Sequence, residues 1–181
     1  MKALTVWTKG EGLLSVVAPM GLAVAAGTSL VIDLDPDGPS LGGVGSLAEL
    51  VRSGPRREDL EPKAAGPAVL ANGGVEAEVA APLVEALIRG WPSVVLRSPC
   101  DAGRFAPIVP VYPILPGPFF PSPDRFCVYQ RTGFEMDPVG PGIVLPRPRR
   151  GTIRSLLSGS LPVRSRWIRA WRAVWEHPWR S

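Results

Sequence analysis

The chain has 181 residues with a net charge of +4, and 45% of its residues are hydrophobic. Its mean hydropathy of +0.14 excludes a disordered polyelectrolyte, while 22 prolines and 20 glycines call for many loops within a globular domain. Residues 1–146 carry 11 basic and 15 acidic side chains, whereas residues 147–181 carry nine arginines and one acid, Glu176. A basic segment on a mildly acidic body suits an anionic partner, or forms a solvated helix face. His177 is the single histidine, which excludes a histidine-based triad and a His-rich metal site. Cys100 and Cys127 have neither metal-ligand spacing nor a disulfide pattern, and are expected as free thiols in a reducing compartment.

In chain order, Ala3–Trp7 is a short buried strand and 8–12 a turn. Residues 14–26 form a helix apolar nearly all round, as when one is buried against a sheet, although Pro19 falls within it. Residues 12–32 hold no charge and imitate a signal peptide or a short membrane span. Glu11 at the edge, Pro19 and the interrupting glycines favour a turn, helix and strand instead. Ser29–Asp33 is the next strand. Ser46-Leu-Ala-Glu49 opens a short helix as a capping box, and 68–71 is a strand broken by Asn72-Gly-Gly74. Residues 75–89 are amphipathic, with Val75, Val79, Leu83 and Leu87 on one stripe, and 94–96 is a strand. Prolines alternate with apolar residues over 107–123, so a strand there belongs at an edge. Short strands at 126–130 and 143–145 and helices at 152–158 and 164–176 complete the chain.

Strands alternating with helices imply an α/β domain with a mainly parallel sheet, whose ligands bind at the carboxyl ends of the strands. Lys9-Gly-Glu-Gly12 follows the first strand at such an end, and the second strand closes on Val31-Ile-Asp-Leu-Asp-Pro-Asp-Gly38. This arrangement resembles the ParA/MinD family of deviant Walker-A ATPases, whose loop reads roughly KGGxGK[ST] and whose second strand ends like IDxDPQG. Trp91–Pro99 resembles the family's next acidic strand end, and Ile143–Pro146 with the basic helices resembles the end of its members. The first 100 residues carry the likeness well and the last 40 loosely, over a shortened middle. It implies a truncated P-loop NTPase-like domain over 1–146 and a basic Arg/Trp-rich helical segment over 147–181.

In such loops glycines let backbone N–H groups converge on phosphates, a lysine offsets their charge and a hydroxyl holds Mg²⁺. Matched position by position, Lys9 corresponds to the signature lysine, and Gly10 and Gly12 to loop glycines. Leu13 replaces the phosphate-binding lysine, while Leu14 and Ser15 stand at the Ser/Thr pair. Asp33 and Asp35 match the acids near Mg²⁺ and the attacking water, and Arg97 replaces the Walker-B aspartate. Phosphoryl transfer rests on positioning and electrostatics, so these two replacements together remove its basis. Arg97 is expected instead to bridge Asp33 and Asp35 and fill the metal position.

The resemblance thus implies a non-hydrolysing pseudo-ATPase that works by binding, as partner or regulator in a chromosome, septum or pilus positioning system. Its partners would be a protein or a second copy of the chain, in the cytoplasm. No obligatory cofactor is expected, with weak ATP, ADP or Mg²⁺ binding left open. The alternatives are an active ATPase with a rearranged loop, and a structural scaffold. Trp167, Trp171 and Trp175 lie four apart, with Arg164, Arg166, Arg169 and Arg172 largely away from that stripe. That pattern fits an interfacial membrane helix, or a surface for nucleic acid or protein. The competing reading lays the tryptophans on the domain's own sheet.

Overall fold

A computed structural model describes residues 2–9, 12–43, 45–116, 125–134, 136–138, 140–160, 162 and 164–180. The strands are β1 (Lys2–Thr8), β2 (Ser29–Asp33), β3 (Gly45–Ser46), β4 (Pro67–Ala71), β5 (Ser93–Ser98), β6 (Ile108–Ile114), β7 (Cys127–Arg131) and β8 (Gly142–Leu145). The helices are α1 (Leu13–Ala26), α2 (Leu47–Ser53), α3 (Ala77–Gly90), α4 (Arg150–Leu157), α5 (Arg166–Ala170) and α6 (Arg172–Glu176). The strands form one parallel sheet in the order β3-β4-β2-β5-β1-β6-β7-β8. This is the α/β fold class expected from the sequence. The uncharged stretch at 12–32 is α1 and β2, and among the described residues no helix is long and apolar enough to cross a membrane.

Alternation along the strands separates two cores, because successive side chains point to opposite faces. Leu4, Val6, Val31, Val95, Val109 and Val128 face α1 and α4–α6. Leu30, Ile32, Leu70, Val94 and Leu96 face α2 and α3. Helices thus pack on both faces of the sheet, as in other all-parallel sheets, and a smaller third cluster of Ile114, Cys127 and Tyr129 lies on β6 and β7. Ser46 caps α2 as expected, its hydroxyl accepting from the Glu49 N–H at 3.2 Å. The stripe foreseen on α3 is rotated: Val79 is 59% exposed, and Ala80, Ala81, Leu83, Val84 and Leu87 are the buried residues.

The proline-rich strand is not at an edge. β6 lies between β1 and β7, for a reason of register. Residues 108–111 pair with β1 and 111–114 with β7, so each half has one open flank. The Pro107 carbonyl accepts from Thr5 of β1, and the side a residue's polar groups face alternates along a strand. Pro110 therefore directs its missing donor toward β7 before that ladder begins. Pro113 directs its own toward β1 after that ladder has ended.

The tryptophan stripe turns inward. Instead of one helix over 164–176, α5 and α6 meet at Trp171. Trp167, Trp171 and Trp175 are 1%, 0% and 8% exposed, in one core with α1. The Trp175 indole N–H donates to the Leu22 carbonyl at 2.8 Å, and that of Trp167 to Gln130 Oε1 at 2.6 Å. Gly21 makes this possible, since a Cβ there would collide with both Trp167 and Trp171. The rings therefore form no lipid-facing stripe. They cover the side of α1 that the sheet cannot reach, while Arg164, Arg166, Arg169 and Arg172 stay exposed.

Candidate functional site

Strand register builds the site. β5 inserts between β2 and β1, pairing Asp33 with Arg97 on one side and Val6 with Arg97 on the other. Asp33 follows Val31, and Arg97 follows Val95, by two residues, so both side chains emerge on the α1 face at the carboxyl ends of their strands. The expected salt bridge is present. Arg97 Nη1 contacts Asp33 Oδ2 at 3.0 Å and Oδ1 at 3.2 Å, while Nη2 contacts Asp35 Oδ2 at 2.8 Å. The side chains of Arg97 and Asp33 are 3% and 1% exposed.

The loop after β2 closes over this triad. Nη1 also donates to the Pro39 carbonyl at 2.6 Å. Asp33 Oδ1 accepts from the Asp35 amide at 3.1 Å, and Asp35 Oδ1 accepts from the Gly38 amide at 2.9 Å. A Cβ at Gly38 would strike both Asp35 and Arg97, so only glycine lets the chain pass that close. Gly38 and Pro39 were not singled out from sequence; the closing glycine of Asp-Pro-Asp-Gly38 was the available signal. Burial raises the Asp33 carboxyl above its ordinary range, with the Arg97 charge and amide hydrogen bonds acting in opposition.

A cavity of about 280 Å³ opens beside the triad, and Lys9, Ser15, Asp35 and Arg97 line it together with Thr8 and Trp7. Four of the residues singled out from sequence therefore converge. Asp33 lies beneath them, nearly inaccessible. Gly12, at φ 135°, is the N-cap of α1 and requires glycine. The Ser15 hydroxyl donates to the Gly12 carbonyl at 2.8 Å. Leu13 is 51% exposed and lines a neighbouring groove with Leu14 rather than this cavity. Gly10 lies outside the described residues.

The site's charges cancel: two carboxylates against Arg97 and Lys9. A divalent cation does not fit between Asp33 and Asp35, because the guanidinium already takes an oxygen of each. Lys9, Ser15 and the amino end of α1, which has no side-chain cap and no acid in its first turn, are the features here that favour an anion. Among the described residues, no group of three or more His, Cys, Asp or Glu is placed to hold a metal.

Among solved structures, cobyrinic acid a,c-diamide synthase from Mycobacterium smegmatis, with bound ADP and magnesium, is similar at 15% identity and a TM-score of 0.43. The match covers 95% of this chain and 91% of that one. So remote a likeness has no bearing on function. No family model and no curated protein matches the chain.

Proposed function

We propose that the chain is a ParA/MinD-like domain that no longer hydrolyses nucleotide and acts by binding. The observation that carries this reading is Arg97, whose guanidinium spans Asp33 and Asp35 where the resembled family holds Mg²⁺. A cation fixed there supplies the counter-charge that orders the loop after β2, but it has no open coordination position for a phosphate oxygen or a water. Leu13 in place of the phosphate-binding lysine acts in the same direction. The proposed role is that of a partner or regulator in a positioning system, reached through a protein partner or a second copy of the chain.

Lys9 and Ser15 on one cavity wall favour a second reading, an ATPase with a rearranged loop. Calorimetric titration with ATP and ADP, with and without Mg²⁺, separates the two. The pseudo-ATPase has no nucleotide affinity that Mg²⁺ enhances, and the Leu13→Lys/Arg97→Asp double variant gains one. Mg²⁺-enhanced binding by the unaltered chain would sink the proposal, and a double variant that folds without any gain would count against the alignment.

A further inference from the structure

Five of the seven arginines in 147–169 converge on a second concavity. A cleft of about 730 Å³ is lined by Arg147, Arg149, Arg164, Arg166 and Arg169, with Trp167 in its wall. All five arginines are exposed. Several arginines elsewhere find acids: Arg56 with Glu58, Arg57 with Glu61, Arg104 with Glu78, Arg125 with Asp101 and Arg131 with Asp137. Among the described residues no carboxylate forms an ion pair with any of the five in the cleft. α4 adds to the positive potential, since its N-cap is Arg149 and its first turn holds no acid. Five like charges around one hollow repel each other unless an anion is shared among them.

We propose that this cleft binds a compact small-molecule polyphosphate. Guanidinium groups suit phosphate oxygens because each presents parallel N–H donors. The volume matches that of a small-molecule site. The wall contradicts the two macromolecular anions. Trp167 is 1% exposed and Trp171 fully buried, so neither ring offers a face for an unpaired base to stack on or for a bilayer to cover. The cleft shares no lining residue with the cavity beside Arg97, so failure of either proposal leaves the other standing. The two also differ in response to Mg²⁺: the cleft needs none, and Mg²⁺ that chelates the phosphates weakens binding there.

The test is calorimetric titration of the full chain with sodium tripolyphosphate at low salt, then with Mg²⁺-free ATP. Micromolar binding that falls steeply with added NaCl is expected. Arg166→Ala/Arg169→Ala should weaken it about tenfold or more, and Arg56→Ala/Arg57→Ala should leave it unchanged. ATP binding as tightly as tripolyphosphate would assign the site to the phosphates alone, and tighter ATP binding to a nucleoside polyphosphate. No heat at millimolar tripolyphosphate, or equal binding by the folded Arg166/Arg169 variant, overturns the proposal. So does preferential binding of a single-stranded oligonucleotide or anionic vesicles.

Discussion

Replacing Arg97 with methionine keeps most of the side-chain volume and removes the charge, leaving Asp33 and Asp35 facing each other. Asp35 is 13% exposed at its side chain and can turn toward the adjacent cavity; Asp33, at 1%, cannot. Breaking a buried pair by removing one partner costs about 3–5 kcal/mol. A ceiling follows from chemistry, because Asp33 escapes by binding a proton. From an ordinary value of 3.8, neutralising it costs about 4 kcal/mol at pH 7 and about 2 kcal/mol at pH 5, at 1.36 kcal/mol per unit. The sign follows from linkage: burial already raises folded Asp33, and losing Arg97 raises it further. Stability tied to a raised carboxyl is present below the unfolded value and lost as pH rises through the folded one. Arg97→Met should therefore cost about 3–4 kcal/mol at pH 7 and no more than about 2 kcal/mol at pH 5. Urea unfolding followed by tryptophan fluorescence at both pH values measures it. A loss below about 1 kcal/mol at pH 7, or one that does not change with pH, would refute the reasoning.

Gly21→Ala should cost about 1–3 kcal/mol by driving a methyl into the Trp167 and Trp171 rings; a neutral result in the same assay would show that the rings move aside. Trp167→Phe, which leaves Gln130 Oε1 without its indole donor, should cost about 1–3 kcal/mol, and near-native stability would remove that bond from the account. Burial pushes the Cys127 thiol from 9.0 up to about 11. Its contribution is thus intact below pH 9 and lost as pH rises toward 11, by no more than about 3 kcal/mol. At pH 8, iodoacetamide should label exposed Cys100 and spare Cys127 until urea unfolds the chain, and equal labelling rates would contradict the burial.

The central unit, β1, loop, α1 and β2, was legible because its apolar runs are short and bounded by glycine and aspartate. The meeting of Arg97 with Asp33 was legible only as a resemblance. Nothing in the spacing of residues 33 and 97 places β5 between β2 and β1, since that neighbour choice is made by non-local pairing. The same limit explains β6: prolines announce missing donors, but whether a donor is needed depends on where the neighbouring ladders start and stop. The tryptophan stripe left its direction open. An amphipathic helix does not reveal which apolar surface it covers, and the decisive signal lay elsewhere. α1 is apolar nearly all round, so it needed a second cover opposite the sheet, and Gly21 marks where large rings approach it.

The most direct test is phosphate release from ATP by the purified chain in the presence of Mg²⁺. With Arg97 bridging Asp33 and Asp35, release should match the protein-free blank at every Mg²⁺ concentration. Mg²⁺-dependent release that disappears on Asp35→Ala would contradict the account, because the guanidinium would then have to yield its place to the metal.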